Sequence, residues 1–168
     1  MDATLAPAGD RWQLRFERYL AHARDKVWQA LTEPEHLQAW FPDEVRGDFA
    51  PGAPLKFHME GHDDLDFDGE VLVFDPPSVL ELRWGEDNLR FELRDRADGC
   101  VLTLVDTFAE LGKSARDAAG WHVCLDQLEN HLAGTTAGDA RTQWKGVHPR
   151  YVAAFGPEAS SIGPPEGF

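Results

Sequence analysis

Cysteine, methionine and tyrosine are scarce, at two residues each in a chain of 168. The two thiols, Cys100 and Cys124, make neither a disulfide framework nor a spaced metal motif. Buried or incidental thiols in a reducing cytoplasm are therefore expected. Basic residues are outnumbered, 16 against 30 acidic, for a formal charge of −14. Such a surface repels phosphate backbones and anionic lipid, which excludes nucleic acid as an expected partner. Solubility is the plain reason for the acidity, and recruitment of a basic partner is the alternative. No run approaches the roughly 18 consecutive apolar residues that span a bilayer. The opening MDATLAPAGD lacks the positive flank and apolar stretch of a signal peptide. A P-loop, a GxGxxG pattern and a GxSxG elbow are all missing, so no nucleotide cofactor is expected.

What is present is organised around one helix. Between Ser114 and Gly134 the apolar residues Ala118, Trp121, Leu125, Leu128 and Leu132 recur at alternating steps of three and four, which places them on one face. Ser114 and Asp117 suit the N-terminus, where their oxygens meet unpaired backbone N–H groups. Gly134 suits the left-handed residue that closes many helices.

Earlier segments read as strands. RWQLRFERYL from Arg11 alternates, with Trp12, Leu14 and Phe16 on one face and Arg18 continuing it. Residues 1–10 are expected to be a flexible tail. From Arg24 the period becomes helical, with Asp25 placed to cap, and Pro34 ends that helix and opens a second over PEHLQAWF. Strands are then predicted over 44–50, 55–60, 67–74, 79–84, 88–96 and 100–108, with Asp98-Gly99 as a hairpin turn. Short connections favour an antiparallel meander. Residues 135–168 form an extension, a polar linker followed by a short helix at 144–155 that carries Trp144, Val147, Tyr151 and Phe155. That helix has three possible seats: the cavity mouth, the outer face of the sheet, or a second subunit in a homodimer. The Gly/Pro/Ser-rich end is expected to be loose.

VWQALTEPEHLQAWF at 27–41, GEVLVFDPPSVLELRW at 69–84 and GWHVCLDQLENHL at 120–132 occur in the order found in a known family. The chain resembles the AHSA1-like (activator of Hsp90 ATPase homologue) branch of the START/Bet v 1-like, or SRPBCC, superfamily, over residues 11–134. The resemblance implies an α+β helix-grip fold, β-α-α-β6-α, with a curved antiparallel sheet around a long C-terminal helix and a cavity for apolar small molecules. The superfamily also includes cyclases and chaperone modulators, so a chaperone partner and a stress-related role are open.

The residues expected to line a ligand site are Trp40, Phe41, Phe57, Met59, Trp84, Phe91, Phe108, Trp121 and Leu125, with Arg18, Asp106 and His122 as polar members. Ordinary core packing is the competing reading of the apolar set, since each large buried side chain stabilises by roughly 1.5–3 kcal/mol. Asp106 shares a face with Leu102, Leu104 and Phe108, so it points inward. It is expected either to pair with Arg18 or to orient a ligand or act as an acid–base group. His122 is expected at the cavity rim or in solvent. His58, His62, Asp63, Asp64 and Asp66 superficially resemble a metal cluster, but their strand-and-loop placement reads as a solvated loop with no metal. His122 and Cys124 lie two apart on a helix and point away from one another. Gly120 inside the helix signals close packing, a ligand near the backbone or an irregular first turn, since it costs about 1 kcal/mol relative to alanine. Binding of an apolar or amphipathic small molecule is the leading reading; a cyclase or hydrolase using Asp106 as general base, and a chaperone-modulating interaction protein, are the alternatives.

Overall fold

The computed structural model describes residues 2–59, 61 and 65–164. The strands are β1 (Thr4–Ala8), β2 (Arg11–Leu20), β3 (Glu44–Arg46), β4 (Pro54–His58), β5 (Phe67–Asp75), β6 (Val79–Trp84), β7 (Asp87–Arg96) and β8 (Gly99–Phe108). The helices are α1 (Arg24–Thr32), α2 (Pro34–Leu37), α3 (Ser114–Ala133) and α4 (Ala140–Phe155). All eight strands form one antiparallel sheet in the order β1-β2-β8-β7-β6-β5-β4-β3. Inward residues alternate as the period of two requires: Leu14, Phe16 and Leu20 on β2, Leu89, Phe91 and Leu93 on β7, and Leu102, Leu104 and Phe108 on β8 are buried. They pack into one core with the buried stripe of α3, Ala118, Trp121, Leu125, Leu128 and Leu132. This is the α+β helix-grip architecture.

Local chemistry departs from expectation at several ends. Residues 4–8 are not a tail: they form edge strand β1, paired with β2 from Thr4↔Arg15 to Ala8↔Arg11. Pairing with the long β2 edge orders a segment whose own composition is weak. Asp25 sits in the first turn of α1 and makes no cap, the N-cap position being Ala23. Ser114 is the first residue of α3 and donates its hydroxyl to the Leu111 carbonyl at 2.6 Å, because a preceding 3-10 turn at Leu111–Lys113 already leads into the helix. Gly134 closes α3 at φ 70°, as expected. After Pro34 the second helix keeps regular geometry only to Leu37, then continues as turns to Phe41, whose N–H bonds the Leu37 carbonyl at 2.8 Å. The first middle strand stops at Arg46 rather than residue 50. At the β7–β8 hairpin the positive φ falls on Ala97, at 48°, not on the glycine. Gly99 is needed for a different reason: a Cβ there would strike the Leu20 carbonyl of β2.

The extension is longer and better fixed than its composition suggests. Asp139 caps α4 by accepting the Thr142 N–H at 2.8 Å, so the helix begins at 140 and takes in part of the expected linker. Trp144 and Tyr151 are buried against the core, and Trp144 donates its indole N–H to the Arg116 carbonyl on α3 at 3.3 Å. Within the chain the helix lies along α3. Beyond it a 3-10 turn at Glu158–Ser160 buries Ala159, and Ile162 N–H bonds the Gly112 carbonyl at 3.0 Å. The end is therefore docked rather than loose as far as residue 164.

Tyr151 joins three elements. Its hydroxyl accepts the Ala3 N–H at 3.0 Å and lies 2.9 Å from His122 Nδ1. Tyr151→Phe is expected to destabilise the protein by about 1–3 kcal/mol, the penalty for a buried donor left unpaired. Denaturant unfolding checks the size, and faster exchange of the Ala3 amide checks the cause.

Candidate functional site

Alternation along β8 carries Asp106 to the inner face, between Leu14 of β2 and Leu89 of β7. Its side chain is fully buried. One oxygen, Oδ2, accepts the indole N–H of Trp121 from α3 at 3.0 Å. The other, Oδ1, is buried without a hydrogen-bond partner among the described residues.

The expected Arg18–Asp106 pair does not form. Arg18 pairs with Leu102 in the β2–β8 register while Asp106 pairs with Leu14, four residues along the strand. Arg18 instead bonds two carboxylates of α3, Asp126 at 2.7 Å and Glu129 at 3.0 Å. Burial pulls its guanidinium down, and these two partners outweigh it and leave the group above its ordinary value. His122 also departs from expectation: it is buried under α4, neither at the rim nor in solvent, with Nδ1 on Tyr151 and Nε2 3.6 Å from Asp126. Burial lowers its pKa. Met59 is half-buried just past β4. Phe57, Phe91, Phe108 and Leu125 are core residues with almost no exposure. Of the supposed metal cluster, His58 and Asp66 bond each other at 2.5 Å, while His62, Asp63 and Asp64 lie outside the described residues.

The structure adds partners that sequence reasoning missed. One carboxylate oxygen from each of Asp87, Asp106 and Asp117 lies within 4.8 Å of the other two. An ammonium already stands among them: Lys113 bonds Asp87, lies 3.4 Å from Asp117, and sits 5.2 Å from the centre of the Phe108 ring. Asp87 had a legible signal, since the alternation of Leu89 and Phe91 runs back to it. Lys113 and Asp117 had none, because their placement depends on how α3 enters. Burial pushes the Asp106 carboxyl well above the usual carboxylate range, and Asp87 and Asp117 push it further. Burial pulls the Lys113 ammonium down, but Asp117 and Asp87 outweigh it and hold the group above its ordinary value. The ammonium thus pairs with Asp87 and Asp117, while burial disfavours the ionised form of Asp106.

Beside this polar group stands an aromatic cluster. The Trp84 and Trp121 rings are 5.3 Å apart, Phe41 lies 5.7 Å from Trp121 and 6.4 Å from Trp84, and Phe67 lies 5.7 Å from Trp84. Asp43 anchors it by accepting the Trp84 indole N–H at 2.8 Å. Burial raises the Asp43 carboxyl to about 6. A cleft of about 300 Å³ opens over the cluster, lined by Phe67, Trp84, Glu86, Asp87, Lys113, Arg116 and Asp117. It shares Asp87 and Asp117 with the carboxylate group, and the fully buried Asp106 lies outside its lining.

A match covering residues 21–133 identifies the relatives of this fold: they are described as activator of Hsp90 ATPase homolog 1-like protein. The chain belongs to that family. Among curated proteins none matches its sequence. Solved structures do. A conserved protein of unknown function from Enterococcus faecalis superposes with a TM-score of 0.76 at 18% identity, over 90% of this chain and 89% of that one. CalU16 from Micromonospora echinospora gives 0.69 at 21% identity, over 92% and 94%. DynU16, a protein of the dynemicin biosynthetic locus, gives 0.63 at 25% identity, over 72% of this chain and 47% of its own. This AHSA1-like fold supports a cavity-type, ligand-binding function in general terms, and no described helix is long and apolar enough to cross a membrane.

The buried acids set the direction of the pH dependence. A carboxyl whose folded pKa is raised contributes stability that is fully present below its unfolded value, near 4, and lost as pH rises through the folded value. For Asp43 that loss runs from about 4 to about 6, and Asp106 adds a loss of the same sign as pH rises. Asp106→Asn is expected to keep the Trp121 acceptor and flatten the decline of the thermal midpoint as pH rises. Melting curves of both proteins from pH 5 to 8 measure it; parallel curves would refute the neutral carboxyl.

Proposed function

We propose that the chain binds an apolar or amphipathic small molecule in the mouth of the helix grip, with an acceptor group, such as a carbonyl, turned towards Asp106. The observation that carries this reading is the unpaired Oδ1 of a fully buried carboxyl. Buried polar atoms normally have partners, and a neutral acid in an apolar wall is a strong donor to an acceptor that water does not reach. Trp84, Phe67 and Trp121 supply the wall, and Lys113 holds Asp87 and Asp117 so that the proton stays on Asp106. A few placed polar groups in an aromatic surround are the usual form of a small-molecule site. Of the twelve residues predicted for the site, Trp84, Trp121, Asp106 and Phe41 remain members; Arg18 and His122 serve the packing of α3 instead.

The same carboxyl favours one second reading, a cyclase- or hydrolase-type enzyme, and changes its detail. A group held neutral donates a proton, so Asp106 would act first as general acid rather than as base.

Titration with 2-acetonaphthone, an uncharged aromatic ketone, tests the binding reading by tryptophan quenching. Saturable binding is expected, retained in Asp106→Asn, which keeps an N–H donor, and at least tenfold weaker in Asp106→Leu. That factor corresponds to one hydrogen bond of about 1.4 kcal/mol. No saturation, or equal affinity in Asp106→Leu, would count against it.

A further inference from the structure

A second opening lies further along the same flank of α3. It is a groove of about 530 Å³ between the turn after α2, the outer flank of α3 and the start of α4, lined by Trp40, Phe41, Pro42, Gly120, Val123, Cys124 and Trp144, among others. We infer that this groove is a binding site for a flat aromatic small molecule that carries no negative charge. The inference is independent of the ligand proposed for the Asp106 mouth.

Three observations carry it. The first is Gly120. In the interior of a 20-residue helix, glycine is unfavourable, and close packing does not explain it, because an added Cβ would meet nothing within 4 Å. The missing side chain leaves a bare strip of helix as one wall of the groove, flat enough for a ring to lie against. Close packing is thereby removed as a reason for this glycine, and so is an irregular first turn, since Gly120 lies well inside the regular helix Ser114–Ala133; the approach of a ligand to the backbone is the reading of the sequence that agrees with both.

The second is the state of the indoles. Trp40 donates its N–H to the Ala30 carbonyl at 2.8 Å, and Trp144 donates to the Arg116 carbonyl at 3.3 Å. Both donors are used within the protein, so the groove presents ring surface and no indole N–H. Burial raises the Cys124 thiol to about 12, so it meets an occupant as an uncharged sulfur. Polar side chains, Gln38, Gln127, Asp139 and Arg141, stand among the remaining lining residues. A volume in the small-molecule range with an aromatic lining selects an apolar ring system.

The third is charge. With a formal charge of −14 the chain disfavours anions at its surface, so the occupant is neutral or cationic. The α4 wall lies outside the family-matched residues 21–133 while the other walls lie within them, so the groove is formed where the extension meets the matched domain.

The probe is N-phenyl-1-naphthylamine, an uncharged aromatic fluorophore, titrated into the full chain and followed by fluorescence and by backbone amide shifts. Saturable binding is expected, with shifts at Gly120, Cys124, Gln127 and Arg141. Gly120→Leu fills the groove and should weaken binding at least tenfold, with Gly120→Ala intermediate; a Cβ there meets nothing within 4 Å and both residues favour a helix over glycine, so both should melt no lower than the parent. The sulfonated analogue 1-anilinonaphthalene-8-sulfonate should bind at least tenfold more weakly than the neutral probe. Equal affinity in Gly120→Leu, or shifts confined to Phe67, Asp87 and Lys113, would overturn the inference, the latter by assigning the probe to the Asp106 mouth.

Discussion

Closure of the curved sheet on the apolar stripe of α3 is the constraint from which the rest follows. Neither surface is stable alone: the inner face of the sheet and the stripe of α3 are mutually covering. Because that contact is continuous from Ala118 to Leu132, anything polar on the inner face is sealed in. Asp106 is the polar residue sealed most completely, and its chemistry is a consequence of burial before it is a matter of neighbours. Trp121 then fixes it from the helix side, and the Lys113 pairings fix the helix entrance. Closing the grip is also what disfavours the ionised form of Asp106.

The aromatic residues pack the core, and their polar edges fix how each ring is held. Trp84 gives its N–H to Asp43, Trp121 to Asp106, and Trp40 and Trp144 to backbone carbonyls. A satisfied indole holds one orientation, so these rings form rigid walls. Phe41 has no such tether. It touches Trp40, Phe57, Trp84 and Trp121 and also lines the outer groove, which makes it the partition between the two openings.

Periodicity revealed most of this architecture. The strands β5 to β8, the stripe of α3 and the inward turn of Asp106 are all consequences of periods two and 3.6. The partners were not legible, for a physical reason. Period fixes which face a side chain takes but not its distance along the strand, so Arg18 and Asp106 shared a face in the sequence and stand four residues apart in the register. His122 was misread because α4, which buries it, follows a polar linker that gave no indication of its seat. Asp43 lies in an irregular turn with no period at all, and its hold on Trp84 needed coordinates. The edge strand β1 was missed because its order comes from β2 rather than from its own residues.

That edge has a wider meaning. The sheet has two borders, β1 and the three-residue β3. Beneath β1 runs β2, ten residues long, which would present an extended open ladder if β1 left. A short strand containing Pro7 is a poor template for another chain, but a bare β2 would be a good one. The Ala3 bond to Tyr151 and the Asp2 pairing with Arg150 therefore make α4 a guard of the sheet's border. Damage to this outer helix would be felt less as lost stability than as a tendency of molecules to add to one another strand by strand.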